Sequence, residues 1–105
     1  MQPEIEERRD AVAALCRRYG VTRLELFGSA ARGVDFDPQR SDFDFLVDFD
    51  LRTSLSPLEQ FIGFAEALEH LLGRRVDVVE RKAVEASRNY IRRRAIFRTT
   101  ETVYG

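Results

Sequence analysis

The sequence predicts an α/β (α+β) fold in which a small sheet carries packed helices. Two features of the hydrophobic pattern lead there. Apolar residues recur at three- and four-residue spacing in residues 4–19, 56–72 and 83–97, as on one face of a helix. The shorter segments 21–27, 43–49 and 75–80 alternate or run apolar, as strands do. Gly20, Gly28, Gly33, Ser56 and Gly73 stand at the joints. With a short helix after Gly28, the order is helix, strand, short helix, strand, helix, strand, helix.

Each element has a local reason. Pro3 suits a first helical turn, Glu4, Glu6 and Glu7 lie near the positive end of the helix dipole, and Ile5, Val12, Leu15 and Tyr19 form one stripe before Gly20. In residues 21–27, Thr22, Leu24 and Leu26 share a face of a strand. Ser29 to Arg32 read as a short helix closed by Gly33, and residues 34–40, with Pro38, as a loop. Phe43, Phe45, Val47 and Phe49 alternate with Asp42, Asp44, Leu46 and Asp48, which predicts a strand with one aromatic buried face and carboxylates on the other. Ser56, Pro57 and Glu59 make a capped helix start, followed by Leu58, Phe61, Ile62, Ala65, Leu68 and Leu72, with Gly73 as the stop. Residues 75–80 form a third strand and 83–97 a final Arg-rich helix, with Val103 and Tyr104 as a last extended piece.

Composition narrows the function classes. The 105 residues are the length of one domain, spanning 1–105. Hydrophobic residues make up 44% and charged residues 33%, enough apolar content to exclude a disordered chain. Uncharged stretches such as Ala11 to Cys16 are six residues long, far below the roughly 20 a membrane helix needs. The acidic start after Pro3 is unlike a signal peptide, and Cys16 is the only cysteine, so the expected setting is the cytoplasm. The net charge of -1 conceals an asymmetry: residues 1–70 carry -6 and residues 71–105 carry +5. No uniform basic face is present, so direct nucleic-acid binding is not expected. Asp35, Asp37, Asp42, Asp44, Asp48 and Asp50 lie in sixteen residues whose single base is Arg40.

That acidic stretch holds the chemistry. Asp42 and Asp44, two apart on a strand, leave the same face roughly 7 Å apart, a spacing that lets two carboxylates converge on hard cations. Two-metal phosphoryl-transfer sites hold their ions about 3.5 to 4 Å apart on such ligands. Asp77 interrupts an apolar strand between Val76, Val78 and Val79, where an isolated buried carboxylate is costly unless paired or metal-bound. Gly28 and Ser29 sit where a strand turns into a helix, a place for close backbone approach to phosphate oxygens. Three carboxylates repel a triphosphate unless divalent cations invert the field, so this reading carries metal dependence with it. Each piece alone has an ordinary explanation: a turn, a solvated strand face, an exposed strand acid. The combination in this order is far more specific than any part.

Gly28-Ser29-Ala30-Ala31-Arg32-Gly33, then Ser41-Asp42-Phe43-Asp44, then Asp77 in a Val-rich strand, resemble the minimal nucleotidyltransferases of the DNA polymerase beta superfamily. The resemblance covers nearly the whole chain, and the twelve residues between Ser29 and Asp42 stand at the long side of the family's range. It implies a small mixed sheet flanked by helices. It also implies transfer of a nucleoside monophosphate from a nucleoside triphosphate to an acceptor, with pyrophosphate leaving. Gly28 and Ser29 would hold the triphosphate, with Arg32 at a frequent motif position. Asp42 and Asp44 would bind two Mg²⁺ ions, and Asp77 would join one of them and help activate the acceptor hydroxyl.

Relatives acting on small molecules or nucleic acids generally carry further domains for the acceptor, so the short chain favours a protein acceptor. Small proteins resembling this one are commonly antitoxins that attach AMP from ATP to a tyrosine of a HEPN ribonuclease toxin, which implies a hetero-oligomer with such a toxin. Two other readings stand beside it: a binding module that neutralises its partner by contact alone, and a transferase acting on a small hydroxylated substrate. Arg88, Arg92, Arg93, Arg94 and Arg98 read first as a solvated helix face and second as a contact for an acidic partner or phosphates. His70 is expected at the surface near a helix C-terminus, and Cys16 in the core.

Overall fold

The computed structural model describes residues 2–28 and 42–105. Among them, four strands form one sheet in the order β3-β2-β1-β4: β1 (Val21–Phe27), β2 (Phe43–Phe49), β3 (Val76–Glu80) and β4 (Thr100–Tyr104). Both β2 and β4 run antiparallel to β1, and β3 runs parallel to β2, so the sheet is mixed as expected. Five helices accompany it: α1 (Pro3–Glu7), α2 (Arg9–Tyr19), α3 (Pro57–Leu72), α4 (Arg81–Glu85) and α5 (Tyr90–Arg98). The expected short helix at 29–32 and loop at 34–40 lie outside the described residues.

The sheet has two unlike faces because its strands alternate. Phe43, Phe45 and Val47 of β2 join Leu24 and Leu26 of β1, Val78 of β3 and Val103 of β4 in the main core. That core is closed by Ile5, Val12, Cys16, Phe64, Leu68 and Leu72 from α1, α2 and α3. Burial pushes the Cys16 thiol up to about 12, so it sits there as an inert apolar group. On the opposite face, Phe27, Leu46 and Val84 form a smaller core with Val79, Ile96 and Phe97, so α4 and α5 cover that side.

α3 is the crossover that parallel pairing of β2 and β3 requires. Its start is the capping box read from the sequence: the Glu59 amide donates to Ser56 Oγ at 3.2 Å and the Ser56 amide to Glu59 Oε1 at 3.3 Å. Its end is Gly73, at φ 66° in the left-handed region.

Four details differ from the sequence expectation. The first helix divides at Arg8, whose backbone (φ -109°, ψ 17°) leaves helical geometry between α1 and α2. In β1 a bulge between Val21 and Arg23 turns Val21, not Thr22, into the core beside Leu24 and Leu26. The buried stripe of α3 is Gln60, Phe64, Leu68 and Leu72, which leaves Leu58 and Ile62 exposed. Gln60 anchors this rotation, because its Nε2 donates to the carbonyls of Tyr19 at 3.1 Å and Asp50 at 2.8 Å, and only a helix turned that way satisfies the buried amide. The expected helix 83–97 is two helices, separated at residues 86–89, because Asn89 Oδ1 accepts from the Arg92 amide at 3.0 Å and caps a fresh start.

A buried ion cluster ties the second face together. Glu25, 2% exposed in the middle of β1, is bound by Arg81 at the start of α4 and by Arg23 Nε at 3.2 Å. Arg81 also reaches Asp48 at 3.5 Å and Glu85 at 3.7 Å, and its guanidinium lies 4.9 Å from the Phe97 ring centroid. One side chain thus joins β1, β2, α4 and α5. Removing one member of such a cluster strands a buried charge, whereas replacing both partners by apolar groups does not. Arg81→Ala is expected to lower unfolding free energy by about 3 kcal/mol. The Glu25→Leu/Arg81→Leu pair should lose much less, read by urea unfolding of the two variants. Equal losses in both would show that packing, not the stranded carboxylate, dominates.

Candidate active site

Asp44 is the centre of the site because of where β2 lies. β2 is an inner strand, flanked by β1 and β3, so Asp44 is half-buried rather than on a solvated sheet edge. Its register partner on β3 is Asp77 and on β1 is Phe27, which in turn pairs with Thr100 of β4. Asp77, Asp44, Phe27 and Thr100 therefore form one row across all four strands, with neighbouring backbones about 4.8 Å apart. The sequence left the strand order open, and the structure places Asp77 on the strand beside Asp44. Of the two readings of Asp77, a paired acid in an apolar strand or an exposed strand residue, the structure has it exposed, because β3 is the sheet edge. Asp42 is exposed one residue before β2 begins.

The electrostatics bind the three acids into one unit. Burial pushes the Asp44 carboxyl up to about 6, with the charges of Asp77 and then Asp42 adding to the rise. Like charges within reach of one half-buried carboxylate are a configuration that a cation would relieve. Among the described residues, however, no group of three His, Cys, Asp or Glu side chains is gathered tightly enough to hold a metal ion by itself.

Gly28 closes the other side. It follows β1 at φ 74°, in the left-handed region, and a Cβ placed there would meet Asp44 Oδ2 at 2.6 Å. The glycine thus brings the β1 turn against the carboxylate. Ser29 and Arg32, the other motif positions, lie outside the described residues, as do Asp35 and Asp37.

The acidic stretch is divided by the fold. Asp48 turns to Arg81, and Asp50 is bonded to Arg52 Nε at 3.0 Å, which holds its carboxyl below the usual range. Asp44 instead has Asp77 as its register partner, and the charges of Asp77 and Asp42 both act on it. Sequence reading missed Phe27, which floors the row, and the Glu25–Arg81 pair beneath the second core. The one available signal for the pair was an acid between Leu24 and Leu26 in an apolar strand.

A family profile described as "Nucleotidyltransferase domain" matches residues 8–101. The chain belongs to the nucleotidyltransferase family. It is 40% identical over 72 residues to "Protein adenylyltransferase MntA" of Thermococcus cleftensis, a match covering 69% of this chain and 68% of the relative. Among solved structures it is similar to a minimal nucleotidyltransferase with 36% identity and a TM-score of 0.67, over 90% of this chain and 88% of that one. The fold also resembles a chain of the complex between the tri-AMPylated HEPN toxin of Shewanella oneidensis and its MNT antitoxin. There the TM-score is 0.61 at 17% identity, over 96% of this chain and 72% of that one. In this member of the family the row through Asp44 is where the sheet brings acids side by side.

Two predictions follow from the geometry. Asp44 holds its proton more tightly when folded, so its contribution to stability is present below its unfolded pKa near 3.8 and is lost as pH rises through about 6. Asp44→Asn should therefore raise the stability of the metal-free protein by about 1 kcal/mol at pH 8, after discounting a half-exposed group for solvent screening, and by far less at pH 4. Urea unfolding in chelator at the two pH values reads the difference, and equal effects at both would remove the repulsion from the account. Gly28→Ala should cost about 1–2 kcal/mol for its left-handed backbone. Its loss of transferase activity should be disproportionately larger, because the atom that must give way is the Asp44 carboxylate; activity falling only with the folded fraction would contradict this.

Proposed function

We propose that this chain transfers AMP from ATP to a hydroxyl of a partner protein, and that residues 1–105 act as one catalytic unit. The observation that carries the proposal is the pairing of Asp44, on an inner strand, with Asp77 in register and Gly28 at its rim. The reaction forms a bond between the acceptor oxygen and the α-phosphorus of ATP, breaks the bond from that phosphorus to the bridging oxygen, and releases pyrophosphate and the hydroxyl proton.

The three acids fit a hard divalent cation. They offer only carboxylate oxygens, and the Asp44 carboxyl, raised first by burial and then by the Asp77 and Asp42 charges, is one whose ionised form a cation would favour. Asp42, Asp44 and Asp77 would hold Mg²⁺, two ions by analogy with two-metal phosphoryl transfer, which supplies neutralisation of triphosphate charge and acidifies a bound hydroxyl. Gly28 admits the triphosphate close to the backbone, with Ser29 and Arg32 as the motif's further phosphate donors. Asp77, exposed on β3, is open to an acceptor hydroxyl and takes up its proton. Similarity to an adenylyltransferase and to an antitoxin fold supports AMP as the transferred group. It also supports a HEPN-type toxin as the acceptor, with a tyrosine as the modified residue and a cytoplasmic toxin–antitoxin pair as the setting. Among the described residues no helix is long and apolar enough to cross a membrane.

The test is co-expression with a HEPN-type protein followed by labelling with [α-³²P]ATP. Asp42→Ala and Asp44→Ala should each reduce label on that protein at least about 100-fold, and chelator should do the same to the wild-type chain. Undiminished labelling by both variants would overturn the proposal. Unlabelled variants that still protect cells would assign neutralisation to binding alone.

A further inference from the structure

α5 is the least anchored helix of the sheet's second face. None of its residues is fully buried; Ile96 and Phe97 lean on the small core, while Tyr90 and Ile91 stay 59% and 81% exposed. With Arg94, Ala95 and Arg98 these two line a shallow hollow of about 520 Å³ on the helix's outer side. Residues 88–98 hold five arginines and no acid, in a chain whose first seventy residues carry -6. Large exposed apolar side chains ringed by arginine have the composition of an interface centre rather than of a solvated helix.

Position selects the occupant. Arg98 is followed after one residue by Thr100, which lies in the register row of Phe27, Asp44 and Asp77. An extended chain spans at most about 3.6 Å per residue, so the end of α5 is within roughly 7 Å of Thr100, the β4 end of that row, and α5 packs on the sheet face that also carries Asp44. A second hollow, about 590 Å³ around Leu58 and Ile62, is on α3, which packs on the opposite side of the sheet from Asp44. Phosphate alone would need the arginines but not Ile91.

We propose that the outer face of α5 docks the acceptor protein, through a surface on that protein that is acidic with an apolar centre. The inference rests on the protein-acceptor reading above and names the residues that select the acceptor. Ile91 fills the apolar centre, Tyr90 flanks it, and Arg94 and Arg98 meet the acidic ring. Docking there sets the acceptor on the sheet face that carries Asp44.

The experiment measures initial rates of [³²P]AMP transfer to the HEPN-type protein, with direct binding to the same protein by calorimetry in an Asp44→Asn background. Ile91→Asp and the pair Arg94→Glu/Arg98→Glu should each raise KM for the acceptor at least about tenfold, with kcat and the affinity for ATP changed less than twofold. Leu58→Asp, an equal change on the other layer, should leave KM alone. Raising salt should weaken wild-type docking more than that of the double Arg variant. Unchanged KM in the α5 variants overturns the inference while leaving the function standing. If no transfer occurs, the function fails and binding decides the docking: loss of binding in Ile91→Asp supports it, and binding that is absent in wild type or indifferent to the variants overturns it. Loss of affinity for a labelled single-stranded RNA, with acceptor binding intact, would also overturn it.

Discussion

The structure depends on the register of β2. This strand is paired on both sides, antiparallel to β1 and parallel to β3, and its alternation sends Phe43, Phe45 and Val47 to one face and Asp44, Leu46 and Asp48 to the other. Slipping either pairing by one residue would expose three large apolar side chains, each worth about 1.5–3 kcal/mol of burial, and drive carboxylates into the main core. The hydrophobic effect thus aims Asp44 and Asp48. Their position is a consequence of where the phenylalanines must go.

The second face shows how one acidic stretch serves two ends. Asp48 is drawn into the cluster around Arg81, which also neutralises buried Glu25 and clamps α4 and α5 onto the sheet. At the other end of the same face, burial first and then the charges of Asp77 and Asp42 raise the Asp44 pKa, so that carboxyl is held at a cost to stability when ionised. The ion cluster around Arg81 fixes the sheet face on which this costly group stands.

Local features were legible from residue order alone. The Ser56–Pro57–Glu59 start, the glycine stops at Gly20 and Gly73, the period-two strand through Phe43 to Phe49, and the identity of Asp42, Asp44, Asp77 and Gly28 as one motif need only neighbours within a few positions. Where expectation and structure part, a distant group intervened in α3 and β1 and a local cap in α5. Gln60 turns α3 toward carbonyls of Tyr19 and Asp50, the bulge beside Phe49 brings Val21 inward, and Asn89 restarts a helix that apolar spacing alone would have continued.

The sequence by itself therefore determined where most helical and strand segments lie, which face of β2 is apolar, and which acids form the candidate motif, because periodicity and capping are written in short-range order. Only the tertiary structure decided that β2 is an inner strand, that β3 lies beside it in parallel with Asp77 opposite Asp44, and that Asp77 is exposed. Strand neighbours are chosen by burial and hydrogen bonding between segments distant in sequence, a competition no local pattern records. The same competition left Ile91 and Tyr90 outside, since the small core accepts only one side of α5.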